Sequence, residues 1–409
     1  MVGAGPAGIA AGITARRHGL DVVVVDKAAF PRDKTCGDGL TAGALRGLEA
    51  LGFDARALPS YVRVAETVVV SPSGRRVVLP LPEQGEHAAV VPRTELDHAL
   101  VLHARALGVD VRDGVGVTGA RTDDQAVTLQ FDDGDEVRAR WVIAADGHYS
   151  PTRRMTASSV HGNGSRAARA PVELGTWHAF RQYYRDVDDP RLWVLFDADL
   201  LPGYAWVFPV GGGRANVGFG VLRRRDGDVP NGARLAAQWR DLLGSSAMRD
   251  VLGSGATPDA THRAWPIPAS FDAARLAQGR VLFAGDAAGV VDPMTGEGVA
   301  QALVTGGLAA QTIAHDATPE AVATRYRRAV VRELQADLRF AQALQRMLRT
   351  PTGARAAIAA AALTPWTRRN FARWMFEDYP RAAVLTPRRW HRGMFGKPGA
   401  YHAPPLHSA

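Results

Sequence analysis

Short apolar runs alternate with amphipathic segments along this chain. Residues 22–25 and 281–284 are continuous apolar runs of strand length, which predict buried parallel strands. Residues 9–18 have apolar positions at helical spacing, and Gly19 follows them where a C-terminal cap is expected. A second helical pattern begins at Val299. Together these elements predict an α/β fold.

Other stretches predict antiparallel strands. Residues 63–92 indicate a hairpin with a Ser-Gly turn, and residues 172–224 contain several alternating strands. Residues 125–143 carry an Asp-Gly turn and are typical of a β-meander. Residues 346–409 are predicted to be helical.

The composition is that of an ordinary globular chain. The 409 residues include 46% hydrophobic and 22% charged positions, enough for about two domains. No apolar run approaches the ~18–20 residues that cross a bilayer, and no signal peptide precedes the first motif. Cys36 is the one cysteine, so no intrachain disulfide can form. We therefore expect a cytoplasmic protein, and the sequence predicts no metal site.

The net charge of +8 is concentrated near the C-terminus. Residues 350–409 hold nine basic and two acidic residues, a net charge of +7, with aromatic residues interleaved. Arginine beside aromatic side chains suits an anionic membrane surface, so peripheral binding at the inner face of the membrane is one hypothesis. A solvated helical face is the other interpretation. A nucleic-acid partner is not expected.

A glycine-rich segment at residues 3–8, GAGPAG, matches the pattern G-x-G-x-x-G before the first predicted helix. In this context the glycines let the backbone approach a pyrophosphate at the positive end of the helix. Asp26 lies 18 residues after Gly8 and can accept hydrogen bonds from both hydroxyls of an adenosine ribose. Its charge would repel a 2′-phosphate, which argues against NADP. Because only Met1 and Val2 precede the loop, the first strand is expected to be short.

A second loop, far along the chain, indicates which dinucleotide is bound. The strand at residues 281–284 is followed by a Gly-Asp pair, and an aspartate just beyond a strand can bind a ribityl hydroxyl. Residues 296–298 would bring a helix N-terminus against a flavin and stabilise negative charge at N1–C2=O of its reduced form. The two loops together predict FAD. The cofactor-binding residues predicted from these loops are Gly3, Gly5, Pro6, Ala7, Gly8, Asp26, Lys27, Gly285, Asp286, Pro293, Gly296, Glu297, Gly298 and Val299.

Two further elements are similar to those of flavin hydroxylase-type proteins. Residues 146–153 match the pattern D-G-x-x-S-x-x-R, and Arg93 matches an arginine that lies beside the cofactor in such proteins. Asp146 and Arg93 are therefore added to the predicted cofactor site. The alternative interpretation is that Asp146 belongs to an ordinary turn and that Arg93 is an ordinary residue at the start of a helix. No second glycine-rich nucleotide loop occurs. Electrons are thus expected from an external donor, either NAD(P)H or a reduced partner protein.

With these residues placed, the chain resembles the geranylgeranyl reductase family of the p-hydroxybenzoate hydroxylase-like flavoproteins, most closely the bacterial reductases of the menaquinone isoprenoid side chain. Residues 34–37 resemble the family's K-x-C-G segment, and residues 204–209 resemble its Y-x-W-x-F-P strand. Leu201 stands where the family often has proline. The resemblance implies that Cys36 and Gly37 approach the flavin.

The resemblance also implies a domain organisation. It predicts a Rossmann-type FAD-binding domain with a glutathione reductase-like β-meander, an antiparallel-sheet substrate domain, and C-terminal helices that close the substrate tunnel. The implied boundaries are 1–62, 93–157 and 266–345 for the FAD domain, 63–92 and 158–265 for the substrate domain, and 346–409 for the C-terminal region.

The implied reaction is saturation of prenyl C=C bonds, with a hydride from flavin N5 to one carbon and a proton to the other. The substrate would be an apolar small molecule or lipid. Tyr204, Trp206 and Phe208 alternate on one strand and are predicted to line its pocket rather than to pack in the core. Cys36 and Tyr204 are the predicted catalytic residues, and an ordered water is the other candidate proton donor. The alternative function is an FAD-dependent monooxygenase of an aromatic or terpenoid substrate on the same fold.

Overall fold

The computed structural model describes residues 1–160, 175–223, 232–315, 318–383 and 399–402. The strands are β1 (Val23–Asp26), β2 (Gly39–Thr41), β3 (Val62–Arg63), β4 (Glu66–Val70), β5 (Arg76–Pro80), β6 (Ala88–Val90), β7 (Asp110–Asp113), β8 (Val117–Thr122), β9 (Val127–Phe131), β10 (Glu136–Ala139), β11 (Val142–Ala144), β12 (Trp177–Arg185), β13 (Leu192–Leu195), β14 (Tyr204–Gly211), β15 (Arg214–Leu222), β16 (Thr257–Pro258), β17 (Arg263–Ile267), β18 (Ala277–Gln278) and β19 (Val281–Phe283). The helices are α1 (Pro6–Arg17), α2 (Ala42–Ala50), α3 (Arg93–Ala106), α4 (Pro151–Val160), α5 (Gly232–Leu243), α6 (Ser246–Leu252), α7 (Val299–His315), α8 (Pro319–Val330), α9 (Ala336–Met347), α10 (Pro351–Ala361) and α11 (Pro365–Met375).

A parallel sheet forms the centre of the nucleotide-binding part. β1 pairs with β7 and β11 pairs with β19, both in parallel, and β18 adds an antiparallel edge. Val2 joins the two halves, because it bridges Val25 of β1 and Ala144 of β11. Its N–H donates to Ile143 O at 2.9 Å and its carbonyl accepts from Ala145 N at 2.7 Å. The extended segment before the glycine-rich loop is short, as expected, and through Val2 it still connects the two halves of the sheet.

The first helix follows the glycine loop without a break. α1 begins at Pro6, before the predicted start at residue 9, because the last residues of the loop already form its first turn. Gly19, with a φ of 73°, lies just beyond the end of the helix as expected. Ala11 and Ile13 of this helix belong to different buried clusters. α1 is therefore buried on both sides, which fixes its N-terminus against the sheet.

A second, larger sheet has the strand order β16–β12–β15–β14–β13–β4–β5, with β17 also paired to β12. Most neighbouring strands are antiparallel, as predicted, but β13 and β4 are parallel. β4 comes from the predicted hairpin β4–β5, far from β13 in the chain, so no tight turn dictates their relative direction. β8, β9 and β10 form a meander, of which β9 and β10 lie within the predicted residues 125–143 and β8 precedes them. β14 and β15 are buried along nearly their whole length, which shows that both of their faces are covered.

The described part of the C-terminal region is mainly helical, as predicted, and packs against the large sheet, while Ala400 forms a β-bridge with Glu86. Ile358 of α10, together with Ala372 and Phe376, joins the buried cluster that contains Trp206 and Phe208. None of the described residues of this region lines the cavity that lies beside the glycine-rich loop. Their apolar side chains pack into the cluster around Trp206 and Phe208. The expectation that these helices close a substrate tunnel stays a prediction.

The charge of the C-terminal region is partly internal. Arg373 pairs with Asp378 at 2.6 Å and Arg381 with Asp292 at 2.5 Å, and both arginines are buried. The excess of positive charge at the surface is thus smaller than the sequence suggests. Four of the basic residues fall outside the described residues, namely Arg388, Arg389, Arg392 and Lys397. Within the part of the chain that the structure describes, no helix is both long and apolar enough to cross a membrane.

Candidate functional site

The glycine-rich turn has a shape that requires glycine. Gly3 has a φ of 100°, and a Cβ there would lie 2.3 Å from the Ala145 carbonyl oxygen. A Cβ on Gly8 would lie 1.8 Å from the carbonyl oxygen of Gly3. A Cβ on Gly5, by contrast, would have no neighbour closer than 3.6 Å. The turn is therefore closed on its inner side and open at the helix N-terminus, an arrangement that admits a pyrophosphate.

The Asp26 carboxylate stands at the end of β1 and is held by backbone donors. Ala4 N donates to Oδ2 at 2.7 Å, and Ala28 N donates to Oδ1 at 2.9 Å. Each oxygen keeps further capacity to accept a hydrogen bond, since a carboxylate has about four acceptor positions. The side chain is thus oriented at the rim of the cavity and can still bind hydroxyl groups.

One cavity of about 810 Å³ brings together nearly all the predicted site residues, a volume typical of cofactor sites. Every residue predicted from the sequence to bind cofactor or substrate lines it except Gly8 and Pro293. Gly8 lies in the first turn of α1, where its missing side chain permits the close approach of Gly3. Pro293 is buried, and its carbonyl accepts from Gln345 Nε2 at 2.7 Å. These two residues support the cavity without facing it.

The loop before α7 is shaped by a buried aspartate. Asp292 Oδ1 accepts from Met294 N at 2.9 Å and from Thr295 N at 2.8 Å. Its Oδ2 pairs with Arg381 at 2.5 Å. The chain then turns so that Glu297 and its flanking glycines line the cavity directly before the first turn of α7. The free N–H groups of that helix end therefore add positive potential at the cavity wall.

The Cys36 segment and Arg93 meet on another wall of the cavity. Arg93 begins α3, is buried, and donates to Asp97 through Nε at 2.8 Å and Nη2 at 2.7 Å. Burial raises the pKa of the Cys36 thiol, and the charge of Arg93 acts in the opposite direction. On the same segment Lys34 lies 3.9 Å from Asp286, so the predicted ribityl ligand has a cation beside it. Cys36 thus presents a protonated thiol to the cavity at neutral pH.

The aromatic residues of β14 form an apolar wall. Tyr204, Trp206 and Phe208 line the cavity, and successive ring centroids lie 6.0 Å and 6.1 Å apart. The hydroxyl of Tyr204 donates to the Thr295 carbonyl, and burial raises its pKa. Gly220 pairs with Tyr204 across the sheet and also lines the cavity. A glycine at this position leaves space beside the aromatic rings for an apolar ligand.

A buried polar network lies beside this wall and was not predicted from the sequence. Asn216 of β15 donates to Cys36 O at 2.8 Å and to Asp38 Oδ2 at 2.7 Å. The Asn216 side-chain oxygen accepts from Trp206 Nε1 at 3.0 Å. Asp38 Oδ2 also accepts from Tyr183 OH at 2.6 Å. The network ties the Cys36 segment to the aromatic wall. A polar residue within the otherwise apolar run of β15 was the available signal.

The segment at residues 146–153 has a divided role. Asp146 lines the cavity, and its Oδ2 accepts from Thr152 N at 2.9 Å. Arg153 donates to Ala287 O at 2.7 Å and lies over the Phe283 ring, 3.5 Å from the centroid. The arginine of this motif therefore ties α4 to β19.

Comparison with known families shows to which group this architecture belongs. Residues 1–326 match a family model described as an FAD binding domain. The chain belongs to the FAD-binding domain family. Among similar proteins, the menaquinone reductase of Mycobacterium tuberculosis is 34% identical over 356 residues, which cover 83% of each protein. Digeranylgeranylglycerophospholipid reductase 2 of Methanopyrus kandleri is 31% identical over 338 residues, 80% of each protein.

A crystal structure shows the same fold. The geranylgeranyl bacteriochlorophyll reductase-like protein from Thermoplasma acidophilum superposes on this member of the FAD-binding domain family with a TM-score of 0.76. The two share 22% identity, and the match covers 95% of this chain and 97% of the other. The residues present fit the cofactor of the family. The turn is open at Gly5, Asp26 and Asp286 face the same cavity, and a helix N-terminus lies beside Gly298.

Proposed function

We propose that this protein is an FAD-dependent reductase that saturates C=C bonds of a prenyl chain, such as a geranylgeranyl group or a menaquinone side chain. The observation that carries the proposal is that Tyr204, Trp206 and Phe208 face the same cavity as the FAD-binding loops. The names of the relatives support it, since they are reductases of menaquinone and of a digeranylgeranyl lipid.

In this proposal each loop holds one part of the cofactor. The turn at Gly5 holds the pyrophosphate, Asp26 the adenosine ribose, and Asp286 the ribityl chain. Gly296, Gly298 and the N-terminus of α7 meet the flavin and favour negative charge at N1–C2=O. FAD, when bound and reduced, supplies the hydride.

The residues of the chain itself bind the prenyl chain and keep water and oxygen out of the site. An isolated C=C bond is a poor hydride acceptor, so the flavin has to be strongly reducing. The site also has to exclude water and oxygen, because oxygen would compete for the electrons of the reduced flavin. The aromatic wall does this while it binds the prenyl chain, because apolar burial contributes about 25 cal/mol per Å². Cys36 and Tyr204 line the same cavity, which supports a contact of both residues with the substrate. Electrons would reach the site from an external donor, NAD(P)H or a reduced partner protein, since the sequence has no second nucleotide loop.

An anaerobic single-turnover assay tests the function. The purified protein, reduced chemically under nitrogen, is mixed with a prenylated quinone or a geranylgeranyl lipid. We expect oxidation of the flavin and a product that is two hydrogens heavier, measured by mass spectrometry. A product that carries an added oxygen atom, formed only when oxygen is admitted, would instead establish a monooxygenase.

We also propose that the turn between α10 and α11 contacts an anionic membrane surface, where prenyl lipids reside. Leu363 and Trp366 at this turn are 74% and 67% exposed. Arg369 is exposed one helical turn later. Exposed leucine and tryptophan beside a basic residue suit the boundary between lipid headgroups and acyl chains. This local cluster supports the membrane hypothesis better than the total charge does, because part of that charge is buried.

Vesicle co-sedimentation tests the membrane contact. Replacing Leu363 and Trp366 together by serine is expected to reduce binding to anionic vesicles at least severalfold, since both apolar anchors are lost. High salt is expected to weaken binding of the unmodified protein. The matched control is Leu102→Ser, because Leu102 is 50% exposed on α3. Equal losses for the control and the double variant would contradict this proposal.

A further inference from the structure

Glu297 lines the cavity at the turn before α7. Its Oε1 lies 3.3 Å from the position that a Cβ on Gly39 would take, and a ring carbon of Phe208 lies 3.5 Å from the same position. The carboxyl group is therefore a near neighbour of the end of the aromatic wall. Among the described residues, no hydrogen bond or ion pair ties this side chain to another group. Unlike Asp292, it is not used to build the loop.

The surroundings of Glu297 favour its neutral form. Burial is the main cause that raises its pKa, to about 8, and the negative charge of Glu377 acts in the same direction. Asp292, from the same loop, also raises it, whereas Arg381 and Arg93 lower it. The N-terminus of α7 opposes the rise, because it favours a carboxylate.

The two catalytic residues predicted from the sequence, Tyr204 and Cys36, are less suited to release a proton. The Tyr204 hydroxyl already donates to the Thr295 carbonyl, and burial raises its pKa. Burial likewise raises the pKa of the Cys36 thiol, with Asp38 and Glu297 adding to the effect. A general acid works best when its pKa lies close to the working pH. Of these cavity-facing groups, Glu297 meets that condition most closely.

We propose that Glu297 is the catalytic acid that gives its proton to the substrate carbon opposite the one that receives the hydride. The proposal rests on the prenyl reductase function stated above. The Oε–H bond of Glu297 breaks as a new C–H bond forms, and the hydride carries the two electrons that saturate the C=C bond. A carboxylate remains, and a proton from solvent restores the acid before the next turnover.

Glu377 is a charged neighbour that acts on Glu297 and is itself partly exposed. Glu377 accepts from Thr41 Oγ1 at 2.7 Å and from Gln301 Nε2 at 2.8 Å, and its side chain is 15% exposed. Arg46 donates to the carbonyl of Glu377 at 2.7 Å and is itself half-exposed. In this proposal Glu377 is the group through which a proton from solvent restores the acid form of Glu297.

Glu297→Gln in the full-length, FAD-loaded protein tests the proposal. The amide keeps the shape but has no acidic proton. We expect the anaerobic rate of flavin oxidation by the prenyl substrate to fall about 10²–10⁴-fold, with FAD content unchanged. The rate in the unmodified protein is expected to decline as the pH rises through about 8, because the acid form is lost.

Infrared spectroscopy gives a second readout that does not depend on turnover. A carboxylic acid C=O band that titrates near pH 8 is expected in the unmodified protein and absent from Glu297→Gln, while Glu49→Gln, at an exposed position of α2, keeps both band and rate. Reduction of the substrate at an unchanged rate by Glu297→Gln, or a missing band, would overturn the donor role alone. Failure of the unmodified protein to reduce any prenyl substrate would overturn the function beneath it.

Discussion

Replacing Arg381 by methionine is expected to lower the free energy of unfolding by about 3–5 kcal/mol. Arg381 and Asp292 are 2% and 3% exposed, and their charged atoms lie 2.5 Å apart. The substitution leaves the Asp292 carboxylate buried without its partner, in the loop that precedes α7. We therefore also expect weaker FAD retention. Urea unfolding and titration with FAD measure the two effects.

A matched control and a double variant isolate the ion pair. Arg369→Met removes an exposed arginine from the same region and is expected to change stability by less than about 0.5 kcal/mol. Asp292→Asn combined with Arg381→Met removes both charges, so its loss should be smaller than the sum of the single losses. Strict additivity, or equal effects of the Arg369 and Arg381 variants, would show that the buried pair does not organise the loop.

Replacing Asn216 by leucine is expected to cost at least about 3 kcal/mol of unfolding free energy. The change deprives three buried groups of a hydrogen-bond partner: the Cys36 carbonyl, the Asp38 carboxylate and the Trp206 indole. Because the Cys36 segment loses its tie to β15, we further expect faster alkylation of the thiol. Urea unfolding and the rate of thiol labelling are the measurements.

Gln182→Leu is the matched control for this substitution. Gln182 lies on the neighbouring strand β12, is half-buried, and its amide donates to Ala260 O at 2.7 Å. Its replacement removes one amide that is not part of a buried network, so the loss of unfolding free energy should stay below about 1 kcal/mol. An Asn216 variant as stable as this control, with unchanged labelling of Cys36, would mean that the network does not position the cysteine.

Both substitutions act on the way the cavity is assembled from distant parts of the chain. The loop at residues 292–298 is braced by Arg381 of the C-terminal region and by Gln345 of α9. The Cys36 segment is braced by the large sheet through Asn216. In the proposed function these two braces hold the flavin side and the substrate side of one cavity. Stability and cofactor retention are therefore expected to change together.

Part of the fold could be predicted because its signals are local. The Gly3–Gly8 contact requires glycine at both positions, and a parallel strand after the helix places Asp26 at the sheet end. The start of α7 at Val299 was predicted from its helical spacing. The start of α1 was placed too late, because a glycine loop and a first helical turn look alike in sequence. The parallel pairing of β13 with β4 could not be predicted, since it joins segments with no turn between them.

The sequence by itself determined the chemistry of each loop: where glycine admits a phosphate, where a carboxylate ends a strand, and which aromatic residues share one face of β14. Backbone conformation and strand periodicity decide these features within a few residues. Only the tertiary structure decided that Asn216 joins Cys36 to Trp206, that Arg381 pairs with Asp292, and that burial raises the pKa of Glu297. Burial and neighbouring charge control such properties, and both come from segments that meet only when the chain has folded.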